Sequence, residues 1–126
     1  MKRSLCYMPA VVVAVAIALL SLWEDPQLPL VDRHSDKFWH TVMYIGLAFM
    51  LLGGMLWHRS ARWKYVLLSW LGASLYGGLM EILQAYCTRT RTGDWYDFAA
   101  DMAGAAIGVA TAWILYALCT KRKSTK

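Results

Sequence analysis

The stretch FAADMAGAAIGVATAWILYALC, residues 98–119, decides how this chain is read. It is apolar almost throughout, with one acid, Asp101, near its start and glycines at 104 and 108. At a rise of about 1.5 Å per residue it is long enough to cross a hydrocarbon core of roughly 30 Å. Backbone groups in lipid have no water to bond to, so a run of this kind predicts a helix. Three runs of similar length precede it, at about Leu5–Trp23, Phe38–Trp57 and Tyr65–Cys87. The fold class expected is all-α: a four-transmembrane-helix bundle forming a single domain over residues 1–126.

Composition agrees with that reading. The 126 residues are 59% hydrophobic and 17% charged, which excludes a disordered chain. A soluble domain of this size could not bury so much apolar surface. The formal net charge of +5 raises the question of nucleic acid, but a basic face needs a soluble body to carry it. Resolved along the chain, the charge has another origin. Lys2, Arg3, Arg59, Arg62, Lys64, Lys121, Arg122, Lys123 and Lys126 fall on one side of a four-span topology, with no acid among them. Only Arg33, Lys37, Arg89 and Arg91 fall on the other side, together with every acidic residue. Basic residues gather on the cytoplasmic side, so both termini are expected there, in the cytoplasmic membrane of a bacterium. The expected partner is the lipid bilayer, with no nucleic acid.

The first run begins after Met1-Lys2-Arg3, as a signal peptide does, but Leu22, Trp23 and Glu24 occupy the place of a small-residue cleavage site. It is therefore expected to stay as an anchor. Trp23, Trp39, Tyr86, Trp95 and Tyr96 are expected at the outer interface, and Tyr7, Trp57, Trp63, Tyr65 and Tyr116 at the inner one. Cys6, Cys87 and Cys119 are too scattered to form a disulfide framework and are expected to remain thiols.

Ionisable residues are rare inside spans and mark functional candidates. Here they collect in one layer near the outer ends of the helices: Asp36, Lys37, His40, Tyr44, Glu81, Gln84, Arg89, Arg91, Asp94, Asp97 and Asp101. Helical spacing places Lys37, His40 and Tyr44 on one face, and Gly77, Glu81 and Gln84 on another. Asp97, Asp101, Gly104 and Gly108 share a third face. Ala100, Gly104, Gly108 and Ala112 make a stripe at four-residue steps, which lets a neighbouring backbone approach closely. Gly104 and Gly108 are thus the expected helix-packing residues, with the carboxylates turned towards an inner polar pocket.

These fragments together carry a family resemblance. Asp36-Lys37-x-x-His40, Glu81-x-x-Gln84, Arg91-x-Gly93-Asp94-x-x-Asp97 and Gly104-x-x-x-Gly108 resemble the VanZ-like family of small membrane proteins in order, spacing and placement. The resemblance covers about two thirds of the chain. It implies an integral bacterial membrane protein of the cell envelope. The founding member of that family is linked to low-level resistance to teicoplanin, a glycopeptide antibiotic. One departure is Asp101, which stands where the family usually has Asn.

Three functional readings follow for the layer. The leading one is a pocket formed by Asp36, Lys37, His40, Tyr44, Glu81, Gln84, Arg91, Asp94, Asp97 and Asp101. It would bind or shield an anionic lipid-linked or cell-wall component, with Lys37, Arg89 and Arg91 supplying charge-assisted donors. The second is an enzyme acting on a phosphoryl group of such a component, with Glu81 and His40 as acid/base candidates. The third is a small ion- or proton-coupled transporter. The leading reading assigns no metal ligand and leaves the cofactor unknown. A divalent cation such as Mg²⁺ or Mn²⁺ on Asp36, His40, Glu81, Asp97 and Asp101 is the minor option. The bland alternative is that these groups only pair to fix helix register. No pattern in the sequence sets the oligomeric state.

Overall fold

The computed structural model describes residues 3–23, 33–58, 63–88 and 95–125, with side chains in the second segment covering residues 37–57. A 3-10 helix at Arg3–Tyr7 leads into α1, Met8–Leu22, followed by α2, Arg33–His58, α3, Trp63–Cys87, and α4, Trp95–Ser124. All four helices, the first counted with its 3-10 turn, are long and apolar enough to cross a membrane. Among the described residues there is no strand.

The helices overrun the apolar windows, and the reason is physical. An apolar window measures the thickness of lipid, whereas a helix ends only where the chain loses its propensity or meets a breaker. Residues 33–37 and 120–124 contain neither Gly nor Pro. So α2 begins before Phe38, and α4 runs past Cys119 to carry Lys121, Arg122 and Lys123 in its last turn. The first span solves the opposite problem. Fifteen α-helical residues rise only about 22 Å, and the five-residue 3-10 stretch adds about 10 Å. Pro9 sits at the start of α1, where its missing N–H leaves no bond unmade.

Neighbouring contacts give the directions of the helices. The Cys6 carbonyl and Tyr7 ring of the 3-10 turn seat on Gly54 near the end of α2, so α1 and α2 run antiparallel. Tyr44 meets Tyr76 at 6.4 Å between ring centroids, and Ser69 donates to the Met55 sulfur, so α2 and α3 are antiparallel too. Gly104 abuts the carbonyl of Thr41, and Gly108 that of Ile45, so α2 and α4 run parallel. Among the described residues α1 and α4 do not meet, and α2 and α3 lie between them. The bundle is therefore up-down-up-down, with one end carrying Asp97 and the other Lys121–Lys123.

The packing is inverted relative to a soluble bundle. Val11, Val12, Val15, Leu19, Leu75, Ile82, Ile107 and Leu118 point outward, while His40, Ser69, Ser74, Glu81, Gln84 and Asp101 are buried. Lipid accepts apolar side chains as readily as a core does, so the interior is free to hold small and polar groups. Exposed rings stand at both ends: Trp23, Trp39, Tyr86, Trp95 and Tyr96 at one, Trp57 and Trp63 at the other. Tyr65, expected at the inner interface, instead turns into the core, and Tyr7 and Tyr116 are half-buried.

Candidate functional site

Three helices each send one ionisable side chain to the same point near the acidic end of the bundle. His40 comes from the third turn of α2, Glu81 from the last two turns of α3, and Asp101 from the second turn of α4. His40 Nδ1 lies 3.1 Å from Asp101 Oδ1 and 3.9 Å from Glu81 Oε1. All three are buried, with Asp101 fully so. Each can offer one ligand-type atom such that these atoms lie within 4.8 Å of one another.

The local sequence explains why the three meet. The α2–α4 seam is set by Gly104 and Gly108, where a Cβ would collide with the backbone carbonyls of Thr41 and Ile45. With no side chain between them the two backbones touch, and this fixes the height of His40 against Asp101. On α3, a Cβ at Gly77 would lie 2.8 Å from Asp101 Oδ2, so that glycine provides the space the carboxylate occupies. Asp101 is thus enclosed by α3 and sits beside the His40 imidazole on α2. Asp101, expected to be a departure from the resembled pattern, is thus a member of the cluster.

Tyr44, one turn further along α2 from His40, is fully buried. Among the described residues its hydroxyl has no hydrogen-bond partner. Gln84 is buried as expected, but its amide turns to α1 and donates to the Ser21 carbonyl at 2.9 Å. Asp97 is half-buried in the first turn of α4, one turn from Asp101. Lys37 holds its ammonium over the Tyr96 ring, 5.0 Å from the centroid, a cation–π contact at the helix ends. The Asp36 side chain, Arg89, Arg91 and Asp94 lie outside the described residues.

Sequence reasoning named His40, Glu81, Asp101 and Tyr44, but it did not single out Ser74. That residue is buried two turns from Glu81 on the same face of α3, and among the described residues its hydroxyl lacks a partner. Its seven-residue offset from Glu81 was the available signal. Gly77 was placed on the Glu81 face, but only the α4 contact explains why glycine stands there.

With this arrangement in view, the comparison with known families is specific. A family model described as VanZ/LLP1 matches residues 11–116, which take in the greater part of all four helices and all three clustered residues. The chain belongs to the VanZ/LLP1 family. No curated protein and no solved structure matches it. As a VanZ-type chain with four helices able to span a bilayer, it is a multi-pass membrane protein. The matched region of this VanZ/LLP1 chain leaves out the 3-10 turn and the basic tail of α4.

Proposed function

We propose that the chain is a cell-envelope protein of the bacterial cytoplasmic membrane whose acidic end faces outward. There it binds the phosphorylated headgroup of a lipid-linked envelope component. One observation supports this above the others: three ionisable side chains from three helices converge in a buried cluster, His40, Glu81 and Asp101. Register alone needs one acid and one base, whereas here two acids share an imidazole. The cluster lies within two or three turns of the helix ends, at the depth where lipid hydrocarbon gives way to headgroups. In the sequence, Lys37 near the start of α2 and Arg89 and Arg91 after α3 are the cations available to an anionic headgroup. Shielding such a component would limit antibiotic access to it, in keeping with the link between the VanZ-like family and teicoplanin.

The experiment is binding of a labelled polyprenyl pyrophosphate to the purified protein in nanodiscs. Saturable binding, weakened in Lys37→Met and Arg91→Met, is the expected result. Binding no stronger than that of empty nanodiscs overturns the reading. In a glycopeptide-sensitive bacterium, production of the wild-type chain is expected to raise teicoplanin tolerance more than Arg91→Met does.

The contact between His40 and Asp101 favours a second reading, an enzyme acting on the phosphoryl group. A carboxylate on one imidazole nitrogen orients the ring and leaves the other nitrogen to move a proton. Release of phosphate from the same labelled lipid, lost in Glu81→Gln and His40→Ala, would select this reading over shielding.

A further inference from the structure

We propose that His40, Glu81 and Asp101 form a binding site for one divalent transition-metal ion, Mn²⁺ or Zn²⁺. The inference rests on the reading that this cluster is the working part of the protein, and it adds the ion that the cluster is built to take. The donor set is one imidazole nitrogen and two carboxylates, drawn from three separate helices. Ligands around a Zn²⁺-sized ion, with bonds of about 2.0–2.2 Å, lie about 3.3 Å apart in a tetrahedral site. The distance of 3.1 Å from His40 to Asp101 already has that spacing, and the 3.9 Å to Glu81 needs only a small rotamer adjustment.

Three further observations point to a ligand. Tyr44, one turn from His40 on α2, is fully buried, and among the described residues its hydroxyl has no hydrogen-bond partner. A phenol so placed can donate to a ligating carboxylate, the kind of contact that holds metal ligands in orientation. Gly77 leaves room on α3 for the Asp101 carboxylate itself, which is thereby held against the other two donors. The glycine seam fixes α2 against α4, so His40 and Asp101 are held ready before any ion arrives. A doubly charged cation also complements a site that holds two carboxyl groups and a single imidazole.

The choice of ion follows from the donors. Mg²⁺ prefers oxygen ligands and keeps most of its water, which suits a buried mixed nitrogen–oxygen site poorly. Imidazole favours the later first-row metals, while the two carboxylates still accept Mn²⁺. Among the residues named from sequence alone, the structure retains three of the five candidate ligands: Asp97 stands a turn away, and the Asp36 side chain lies outside the described residues.

The test uses tag-free, full-length protein in nanodiscs, stripped with chelator and titrated with Zn²⁺ or Mn²⁺ alone, without lipid ligand. Uptake of one ion per chain is expected, with affinity falling at least about tenfold in Asp101→Asn and further in His40→Ala and Glu81→Gln. Lys121→Met, at the opposite end of α4, is expected to bind as wild type. Because a variant can misfold, the wild-type protein is also loaded with Mn²⁺ after ¹⁵N labelling of histidine. A nitrogen coupling in the electron–nuclear spectrum is then expected from a directly bound imidazole. Uptake well below one ion by folded protein, no histidine coupling, or folded triple variants that bind undiminished would each overturn the proposal. Ion binding without lipid binding would remove the proposed headgroup function and leave the metal site standing; the opposite pair of results would do the reverse.

Discussion

Helix α4 and helix α1 flank the same α2–α3 pair but are attached in opposite ways. Against α4, glycines 104 and 108 put backbone on backbone, and the contact is the most extensive in the bundle. Against α1, the ties are polar and reach across from α3: Tyr76 donates to the Ala14 carbonyl and Gln84 to that of Ser21. Only Ala10, Ile17 and Ser21 of α1 are buried. One flank is fixed by shape and carries an ionisable member of the cluster; the other is tethered through its carbonyls and contributes no ionisable side chain. Positioning of the buried ionisable groups rests on close packing, and α1 serves as cladding on the far side.

The comparison breaks most readily at the seam. Gly108→Val would drive side-chain atoms into the Ile45 carbonyl and separate α2 from α4. A loss of about 3 kcal/mol is expected, near the upper end for overpacking, and reversible unfolding in mixed micelles would measure it. A loss under about 0.5 kcal/mol would mean the seam carries little of the fold.

Gly77→Ala tests the cluster itself. The new Cβ would meet Asp101 Oδ2 at 2.8 Å, and the carboxylate, being the end of a side chain, can swing away at a destabilisation of about 1–2 kcal/mol. In the Asp101→Ala background the same substitution is expected to cost clearly less, because Oδ2 is gone and only the Cβ contact at 3.0 Å remains. A double-mutant cycle gives the coupling directly, and additivity would refute the assigned contact.

On the α1 flank, effects should be smaller and local. Gln84→Leu removes one buried hydrogen bond to α1 and is expected to destabilise by about 1 kcal/mol. Faster hydrogen exchange should appear in α1 while the amides of α2 and α4 keep their protection. Equal loss of protection in all four helices would erase the distinction between the flanks. Smallest of all is Gly46→Ala, where no atom lies within 4 Å of the added methyl. Helix propensity predicts a gain of about 0.5–1 kcal/mol, visible as a modest rise in thermal midpoint.

Much of this division was legible in the residues. Four apolar runs predicted four helices because lipid leaves the backbone no other solution. The stripe from Ala100 to Ala112 predicted a close seam, since only small residues permit one. The partner of that stripe was not legible: spacing shows which face is small, but not that it meets Thr41 and Ile45. Lys37 shared a helical face with His40, yet a flexible four-carbon stem carried its charge to Tyr96. Gln84 looked like a member of the polar pocket because its face was right, but its amide found a backbone carbonyl on α1. Asp101 was the one residue whose role the pattern left open. Its place is decided by a glycine on another helix, which no local spacing can reveal.

The four-residue step of the α4 stripe has a mechanical consequence. A slide of α4 along α2 by one residue, about 1.5 Å, would bring a side chain onto a carbonyl that now faces a glycine. A full stripe step of about 6 Å is no better, because it would bring the Cβ of Ala100 or Ala112 onto a carbonyl that tolerates none. The seam therefore works as a latch with a single seat along the axis. In that seat His40 and Asp101 stand 3.1 Å apart, and the two glycines keep them there.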